Sequence, residues 1–425
     1  MKKIAFVLFF LAGFTAHATI LLVKEGGVNN TYPTISAAIT AAANNDTIVV
    51  YDKLSGQPWL ESITIDKNLW IIHPTQGTRF KAPGNVTIVP KAGMDLFILG
   101  WDMAGFSITA TATGSTATSA NRAKITVSDC SNMLNLDLRV DWIESRVFYN
   151  QTNITGSIYF RHGLAVANVL INGGIYVDQE STVAAQNDSI LIIGNKIRSC
   201  YVDTKEAGLI ANNYIYNDNN AGNWYDWGGG NALSIRYHNQ SDSAIFGIYN
   251  NTLTNAGGGS GTRMAIAMRN SGKVSNIRIV NNLLYVCGTT SYGLWYDAGG
   301  PNVISGNPFI SHNFINSCNS NYTNFSTNNE LNYNSNAGPG YGTIDTWGRA
   351  ASGNTTLINK GIYLGEYFDI DLTRNDIGTY GGPYSIDNYL TSGDSKGRML
   401  YINIKHQLTN LNQLLNIKAS GGAKF

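Results

Sequence analysis

Apolar and polar positions change their period once, close to the start of the chain. Ile35, Ala38, Ile39 and Ala42 follow the i, i+3, i+4, i+7 spacing of an amphipathic helix, which predicts a helix near residues 34–43. Short segments rich in β-branched residues follow this helix, as in strands. They predict strands at 48–51, 61–65 and 69–72.

After Asn44, no helical period recurs until residues 406–419. This tail is either a helix or two strands, at 400–405 and 414–419, and we favour the strands. One helix followed by strand after strand predicts an all-β chain in which the helix covers the end of a β solenoid. A cap is expected there because the first coil would otherwise expose apolar side chains and unpaired strand groups.

A short motif recurs from the middle of the chain onward, with the pattern apolar, any residue, polar, Asn, any residue, apolar. Its asparagines are Asn195, Asn213, Asn251, Asn282 and Asn313, and Asn172 lies 23 residues before the first of them. The other intervals are 18, 38, 31 and 31 residues, which fits one coil per interval with loops of variable length. Asparagine tolerates the left-handed backbone of a sharp corner, and stacked asparagines can exchange amide hydrogen bonds.

The first 18 residues have the three parts of a secretory signal peptide. Lys2 and Lys3 are basic, residues 4–14 are apolar, and Ala16-His17-Ala18 has the small residues of a cleavage site. The apolar run is shorter than the roughly 20 residues that a membrane-spanning helix needs. We therefore expect a signal peptide at residues 1–18, export to the periplasm, the cell surface or the medium, and no transmembrane segment in the mature chain.

The composition excludes several classes of partner and chemistry. The formal net charge is +1, so the whole protein has no field that would attract nucleic acid, and no nucleic-acid partner is expected. The HExxH motif and the Walker loop do not occur. The four cysteines show no CxxC spacing, and we interpret them as small core residues whose disulfide state stays open. They are Cys130, Cys200, Cys287 and Cys318.

Segments at both ends of the chain carry a resemblance to a known family. The opening Tyr32-Pro33-Thr34-Ile35, with Asp46-Thr47-Ile48-Val49-Val50 and Ile63-Thr64-Ile65-Asp66-Lys67-Asn68, resembles the N-terminal entry of pectin-lyase-like right-handed parallel β-helix proteins. The closing Arg374-Asn375-Asp376-Ile377-Gly378-Thr379-Tyr380-Gly381-Gly382-Pro383 resembles the last coil of secreted bacterial members. The resemblance covers about residues 20–385.

This resemblance implies an all-β fold, a right-handed parallel β-helix (solenoid) with an N-terminal capping α-helix. We expect the β-helix at residues 19–385 and a C-terminal appendage or cap at 386–425. The family includes polysaccharide lyases, glycoside hydrolases, esterases, epimerases and proteins with no known catalysis. It therefore implies a polysaccharide as the partner without selecting a reaction.

Alignment of the coils on their asparagines brings a set of charged and aromatic residues together. Arg161, Arg236, Arg269 and Tyr296 lie 11, 15, 13 and 17 residues before the asparagine of their coil, which predicts one stacked face. Neighbouring coils are about 4.8 Å apart, so such a face would form a shallow groove. His238 also falls in this part of the coil.

The groove has the residue types that a uronate-containing glycan requires. Arginine can bind a carboxylate with paired hydrogen bonds, and aromatic rings can contact the apolar side of a sugar. A lyase acting by β-elimination must neutralise the carboxylate and place a base near the departing proton. We predict His238 or Tyr296 as the base and Arg236 and Arg269 as carboxylate clamps. The predicted substrate-binding residues are Arg161, His162, Trp224, Trp227, Trp295 and Asp297.

Other functions stay open at this stage. A non-catalytic glycan-binding or structural cell-surface protein is the first alternative to the lyase. A glycoside hydrolase is the second, and it would need two facing carboxylates. The only pairs to propose are Asp203 with Glu206 and Asp226 with Asp297. No dense acidic cluster predicts a metal site, although calcium is an open cofactor. The sequence fixes neither the glycan nor the oligomeric state.

Overall fold

The computed structural model describes most of the chain in segments. These are residues 18–27, 29–75, 79–81, 84–152, 156–178, 189–217, 230–237, 245–255, 262–270, 276–286, 290–297, 308–317, 320–323, 344–369, 371–385, 387, 397–404 and 417–423. For 255, 262, 269–270, 290, 296–297, 316–317, 320–323, 397–404 and 417–423 the description covers the backbone. The predicted signal peptide lies almost wholly outside the described residues.

The described secondary structure is almost entirely β, which confirms the all-β prediction. The first strands and the helix are β1 (Ile20–Val23), α1 (Ile35–Ala41), β2 (Asp46–Val50), β3 (Ile63–Ile65), β4 (Leu69–Ile72), β5 (Phe80–Lys81), β6 (Val86–Ile88), β7 (Asp95–Leu99), β8 (Trp101–Asp102), β9 (Ile108–Ala110) and β10 (Ala123–Ser128). The middle strands are β11 (Asn135–Leu138), β12 (Ile143–Phe148), β13 (Gln151–Thr152), β14 (Ser157–Phe160), β15 (Gly163–Val166), β16 (Val169–Asp178), β17 (Ser189–Ile193), β18 (Lys196–Thr204), β19 (Ala207–Ala211) and β20 (Tyr214–Tyr216). The last strands are β21 (Gly230–Tyr237), β22 (Phe246–Tyr249), β23 (Thr252–Asn255), β24 (Thr262–Asn270), β25 (Ile277–Val280), β26 (Leu283–Val286), β27 (Thr290–Asp297), β28 (Phe309–Ser311), β29 (Phe314–Ser317), β30 (Ser320–Thr323), β31 (Gly397–Ile404) and β32 (Ile417–Ala423).

Two long parallel sheets contain nearly all of these strands. The first has 12 strands in the order β1-β2-β4-β7-β10-β12-β15-β17-β19-β22-β25-β28. The second has 16 strands and includes β3, β6, β9, β11, β14, β16 and β18 as successive neighbours. The chain passes repeatedly from one sheet to the other, so each sheet gains a strand as the chain advances. This topology is compatible with a parallel β-helix.

The second sheet divides at β18. The start of this strand, Lys196–Ile197, pairs with Tyr214–Ile215 of β20, and its end, from Cys200 to Thr204, pairs with β21. From there β20, β23, β26 and β29 form one branch, and β21, β24, β27 and β30 form the other. The later coils therefore have three faces, and the β21 branch is separate from the branch that follows each asparagine corner.

The core lies between the sheets and is built from stacked aliphatic residues. In the first sheet Ile48, Ile71, Ile98, Val127 and Val147 are successive register partners, and all are fully buried. Alternate residues of each strand point inward, so one such column forms wherever apolar residues recur at period 2. Burial of each side chain is worth about 1.5–3 kcal/mol. Cys130 and Cys200 also lie in this core as free thiols.

A ladder of buried asparagine side chains runs along one corner of the coils. Each Oδ1 accepts hydrogen bonds from the backbone N–H and the Nδ2 of the ladder residue before it, at 2.8–3.0 Å in the step from Asn168 to Asn195. The members are Asn150, Asn168, Asn195, Asn213, Asn251, Asn282 and Asn313. Asn168, rather than the predicted Asn172, occupies the step before Asn195.

The ladder asparagines do not adopt the left-handed backbone themselves. The residue before each of them does, with φ of 54° at Asn212, 53° at Asn250 and 59° at Asn281. Ala167 and Gly194 have the same conformation at 59° and 65°. The expectation that the repeated asparagine makes the turn was therefore off by one residue. The ladder residue is instead used for its amide, which bridges adjacent coils.

A C-terminal strap, residues 344–385, lies along the outside of this corner. It resembles a closing coil in sequence, but the only β pairing in its described residues is the isolated antiparallel bridge between Ile344 and Ala350. Side chains of the left-handed corner residues bind it. The contacts are Asn212 Nδ2 to the Thr379 carbonyl (2.8 Å), Asn250 Nδ2 to Asn375 Oδ1 (2.7 Å), and the Ile362 N–H to Asn281 Oδ1 (2.8 Å).

Elements at the two ends of the chain agree with the sequence in part. The helix α1 lies within the predicted 34–43, and Thr34 Oγ1 caps it by accepting from the Ala37 N–H at 3.0 Å. The tail has the favoured strands, since β31 and β32 pair in antiparallel fashion. No helix in the described segments is long and apolar enough to cross a membrane.

Candidate functional site

The most distinctive charged surface is a column of residues on five neighbouring strands of the second sheet. These strands are β16 and β18, followed by β21, β24 and β27 of the β21 branch. The backbone register aligns Asp178 of β16 with Asp203 of β18, and Asp203 with Arg236 of β21. It then aligns Arg236 with Arg269 of β24, and Arg269 with Asp297 of β27. We call these register positions the charged column. It runs along the axis of the sheet, one residue per strand.

The alternation of the strands places the charged column on the side opposite the core. In β21 the neighbours of Arg236 are Ile235 and Tyr237, and both are fully buried. Ile235 aligns with Met268, which is buried in the same core. Arg236 itself keeps 32% of its side chain exposed. The column therefore belongs to the outer face of the sheet.

Asp203 is the centre of the described contacts in the column. Its Oδ2 lies 3.5 Å from Arg236 Nη1 and accepts a hydrogen bond from the Tyr201 hydroxyl at 3.3 Å. Burial raises the pKa of Tyr201 well above its ordinary value, and the negative charge of Asp203 adds to the rise. Tyr201 is therefore a protonated hydrogen-bond donor at neutral pH and not a base.

Tyrosines stack beside the acidic end of the column. The rings of Tyr159 and Tyr176 lie 5.0 Å apart at an interplanar angle of 17°, and the Arg139 guanidinium sits 4.6 Å from the Tyr159 centroid. Arg139 also approaches Asp178 at 3.8 Å. Burial raises the pKa of Tyr176. The stack presents partly exposed aromatic rings next to Asp178.

The structure places the predicted catalytic residues at different register positions. Arg236 and Arg269 are direct partners, as expected for a stacked pair. Tyr296 aligns with Met268, whereas Asp297 aligns with Arg269. The predicted base Tyr296 is thus one residue out of register with the arginines. His238 follows β21 and lies outside the described residues.

The predicted aromatic residues are only partly described. Trp295 is in β27, is partly exposed, and aligns with Ala267 two positions before the charged column. Trp224 and Trp227 lie outside the described residues. Trp295, the described tryptophan of this group, therefore lies close to the column.

Arg161 and His162 follow β14 and have partners of their own. Arg161 is bonded to Asp141, and 14% of its side chain is exposed. His162 is 1% exposed, and its Nδ1 lies 2.9 Å from the Oε1 of a fully buried Glu206. In this arrangement His162 has no surface to offer a substrate. Its geometry corresponds to a buried structural pair.

Glu206 is also one of the carboxylates predicted for a hydrolase, in a pair with Asp203. Glu206 faces His162 in the interior, and Asp203 contacts Arg236 on the outer face. Asp203 and Glu206 therefore do not open onto solvent as a facing pair. Asp226 lies outside the described residues. Among the side chains that the structure describes, no group of three or more His, Cys, Asp or Glu could hold a metal ion.

Sequence reasoning missed the tyrosines and Asp178. A signal for them exists, because Tyr176-Val177-Asp178 recurs as Tyr201-Val202-Asp203 on the adjacent strand. Each copy alternates outer, core and outer positions. A search for identical tripeptides would have found this part of the column and its register.

Comparison with known proteins adds no further assignment to this geometry. No protein-family model matches the chain, and neither the curated proteins nor the solved structures gave a match.

Proposed function

We propose that the chain is a right-handed parallel β-helix of the pectin-lyase-like kind, capped by α1 and exported after removal of residues 1–18. The chain's repeated passage between two parallel sheets supports this fold, and parallel crossovers are almost always right-handed. Both ends of α1 are tied to the first coils. Glu61 accepts from the Ile35 N–H at 2.7 Å, and Lys67 Nζ donates to the Ala42 carbonyl at 2.8 Å.

The function that the site supports best is binding of a uronate-containing glycan along the charged column, with cleavage by β-elimination. The observation that carries this proposal is the direct backbone register of Arg269 with Arg236, whose side chain is 32% exposed. Strands are about 4.8 Å apart, so two guanidinium groups can approach one carboxylate. In β-elimination a base removes the proton beside that carboxylate. The electron pair forms a carbon–carbon double bond as the glycosidic oxygen leaves with a proton, and the arginines stabilise the charge that develops on the carboxylate.

The proposed base is His238, one of the two bases that the sequence predicts, because the other, Tyr296, aligns with the core residue Met268. The described tyrosines beside the column are poor candidates, because burial raises the pKa of both Tyr176 and Tyr201. His238 follows Tyr237 directly at the end of β21, one residue beyond a core position. This location would bring a base to the end of the arginine-bearing strand.

A second candidate function is glycan binding without catalysis, in a cell-surface or extracellular protein. The contact between Arg236 and Asp203 favours it, because an arginine that already shares a carboxylate stabilises new charge less strongly. A hydrolase is less well supported, since Glu206 is enclosed with His162.

An activity screen on residues 19–425 separates these functions. Pectic, alginate, glycosaminoglycan and neutral polysaccharides are incubated with the protein, and ultraviolet absorbance reports unsaturated products while reducing ends report any cleavage. Absorbance that is lost in Arg236→Ala and His238→Ala, and retained in Arg146→Ala, establishes the lyase. Arg146 is the matched control because it pairs with Glu144 at 2.8 Å on the first sheet. Reducing ends without absorbance indicate a hydrolase, and glycan retention without either signal indicates a binding protein.

A further inference from the structure

The order of charges along the column carries information about the substrate. Read along the register, the positions are Asp178, Asp203, Arg236, Arg269 and Asp297. The arginines are therefore bounded by aspartates on both sides. From this order we infer that the column accepts a glycan in which acidic sugars are isolated among neutral ones, and that it discriminates against a chain with a carboxylate on every sugar. This inference rests on the proposed function.

The spacing of the column makes the discrimination effective. Adjacent strands are about 4.8 Å apart, so Asp178 lies about 10 Å from the Arg236 position along the axis. A carboxylate on either neighbouring sugar would lie within the Debye length of about 8–10 Å of an aspartate, so physiological salt would screen the repulsion between the two charges only in part. A chain with a carboxylate on every sugar would thus be attracted to the arginine pair but repelled by the aspartates on both sides of it.

The surroundings of the acidic positions match uncharged sugar. Tyr159 and Tyr176 stack within 5.0 Å of each other and stay half-buried, which gives an amphipathic surface beside Asp178. The Asp203 side chain is only 12% exposed and already accepts from Tyr201, whereas Asp178 is 29% exposed and can accept hydrogen bonds from sugar hydroxyls. Hydroxyl donors, rather than carboxylates, complement this end of the column.

Two arginines described near the acidic end already have acidic partners. Arg139 bonds to Asp137 at 2.7 Å and approaches Asp178 at 3.8 Å. Arg161 bonds to Asp141. Each of these arginines therefore shares its charge with a carboxylate of the protein and binds a second uronate less strongly. The arginine pair in the middle is the one place along the column where two cations are adjacent.

Calorimetric titration of residues 19–425 with defined oligosaccharides tests the inference. The probes are a xylo-oligosaccharide bearing one glucuronate, an oligogalacturonate of the same length, and the neutral xylo-oligosaccharide. We expect the singly charged probe to bind about tenfold more tightly than the oligogalacturonate, and Asp178→Asn to reduce this preference to about threefold or less. Glu144→Gln, which removes an ion-paired carboxylate from the first sheet, should leave the preference unchanged.

Each other result has a distinct meaning. Equal or tighter binding of the oligogalacturonate by the wild-type protein would overturn the inference and leave the proposed glycan function in place. The same holds if Asp178→Asn and Glu144→Gln alter the preference equally. Failure of both acidic probes, the glucuronate-bearing xylo-oligosaccharide and the oligogalacturonate, to bind would overturn the proposed function itself.

Discussion

Asn250 and Asn375 lie 125 residues apart in the chain, and the side-chain amide of the first donates to that of the second at 2.7 Å. The next residue, Asn251, bonds instead to Asn282 within the ladder. The two residues of the pair Asn250-Asn251 therefore have different roles. Asn250, which has the left-handed backbone, binds the strap, and Asn251 joins adjacent coils. Other corners of the ladder have Gly194 or Ala167 in the left-handed position.

Removal of the Asn250 side chain should release the strap without disturbing the coils. Asn250→Gly keeps the left-handed backbone at φ 53°, which glycine adopts freely, and deletes the bonds to Asn375 and the Asp376 carbonyl. We expect faster proteolytic cleavage within residues 357–382, with an unchanged far-ultraviolet spectrum. Unaltered cleavage of the strap would show that these amide bonds do not hold it.

Loss of a ladder amide should be more costly. Asn251→Ala leaves the buried Asn213 N–H and Nδ2 without their acceptor, which lies at 3.0 and 2.9 Å in the wild-type protein. We expect the free energy of unfolding to fall by about 2–4 kcal/mol, since each buried unsatisfied donor is penalised. Denaturation in urea measures the loss, with Asn250→Gly as the matched control. Equal effects of both variants would contradict the division of roles.

Strap docking should depend on pH through Asp369. Burial raises the pKa of Asp369 to about 6 from its ordinary value of 3.8, and the Asp376 and Asp371 carboxylates add to the rise, although a hydrogen bond from the Gly382 N–H opposes it. The docked state therefore favours the protonated acid. Docking should be strongest below about pH 4 and should weaken as the pH rises through about 6.

Hydrogen exchange of the strap amides, corrected for the intrinsic effect of pH, measures this dependence. Asp369→Asn should flatten the profile between about pH 4 and 6 and protect the strap at neutral pH. The control is Glu366→Gln, because Glu366 is an exposed carboxylate of the strap that is not among the charges acting on Asp369. A profile that keeps its slope in Asp369→Asn would assign the pH dependence to other groups.

The buried pair of His162 and Glu206 should act in stability and not in binding. Glu206→Ala leaves the His162 ring without its partner at 2.9 Å, and breaking a buried pair from one side costs about 3–5 kcal/mol. Glu206→Gln keeps a hydrogen-bonding oxygen and should cost less. Thermal unfolding compares the variants. If Glu206→Ala keeps full stability but loses glycan binding, the prediction is wrong and the pair belongs to the glycan-binding site.

The all-β class, the helix near residue 35 and most of the ladder could be predicted from the sequence. The spacing of apolar residues indicates the helix and the strands, and the repeated asparagine marks the ladder. The sequence was insufficient for register. Counting from the asparagines placed Tyr296 with the arginines, but Asp297 is the partner of Arg269. Loops of variable length precede each strand, and a shift of one residue exchanges the core and outer faces. Register is fixed by the alignment of core residues such as Ile235 and Met268.

The most direct test of the account is the affinity of residues 19–425 for a xylo-oligosaccharide bearing one glucuronate, compared between Arg236→Ala and Arg146→Ala. Both arginines pair with a carboxylate on an outer face, but only Arg236 lies in the charged column. We expect wild-type affinity for Arg146→Ala and a loss of about tenfold or more for Arg236→Ala, because the second substitution removes a charge-assisted contact. Retained binding by Arg236→Ala, or equal loss in both variants, would contradict a glycan site on the charged column.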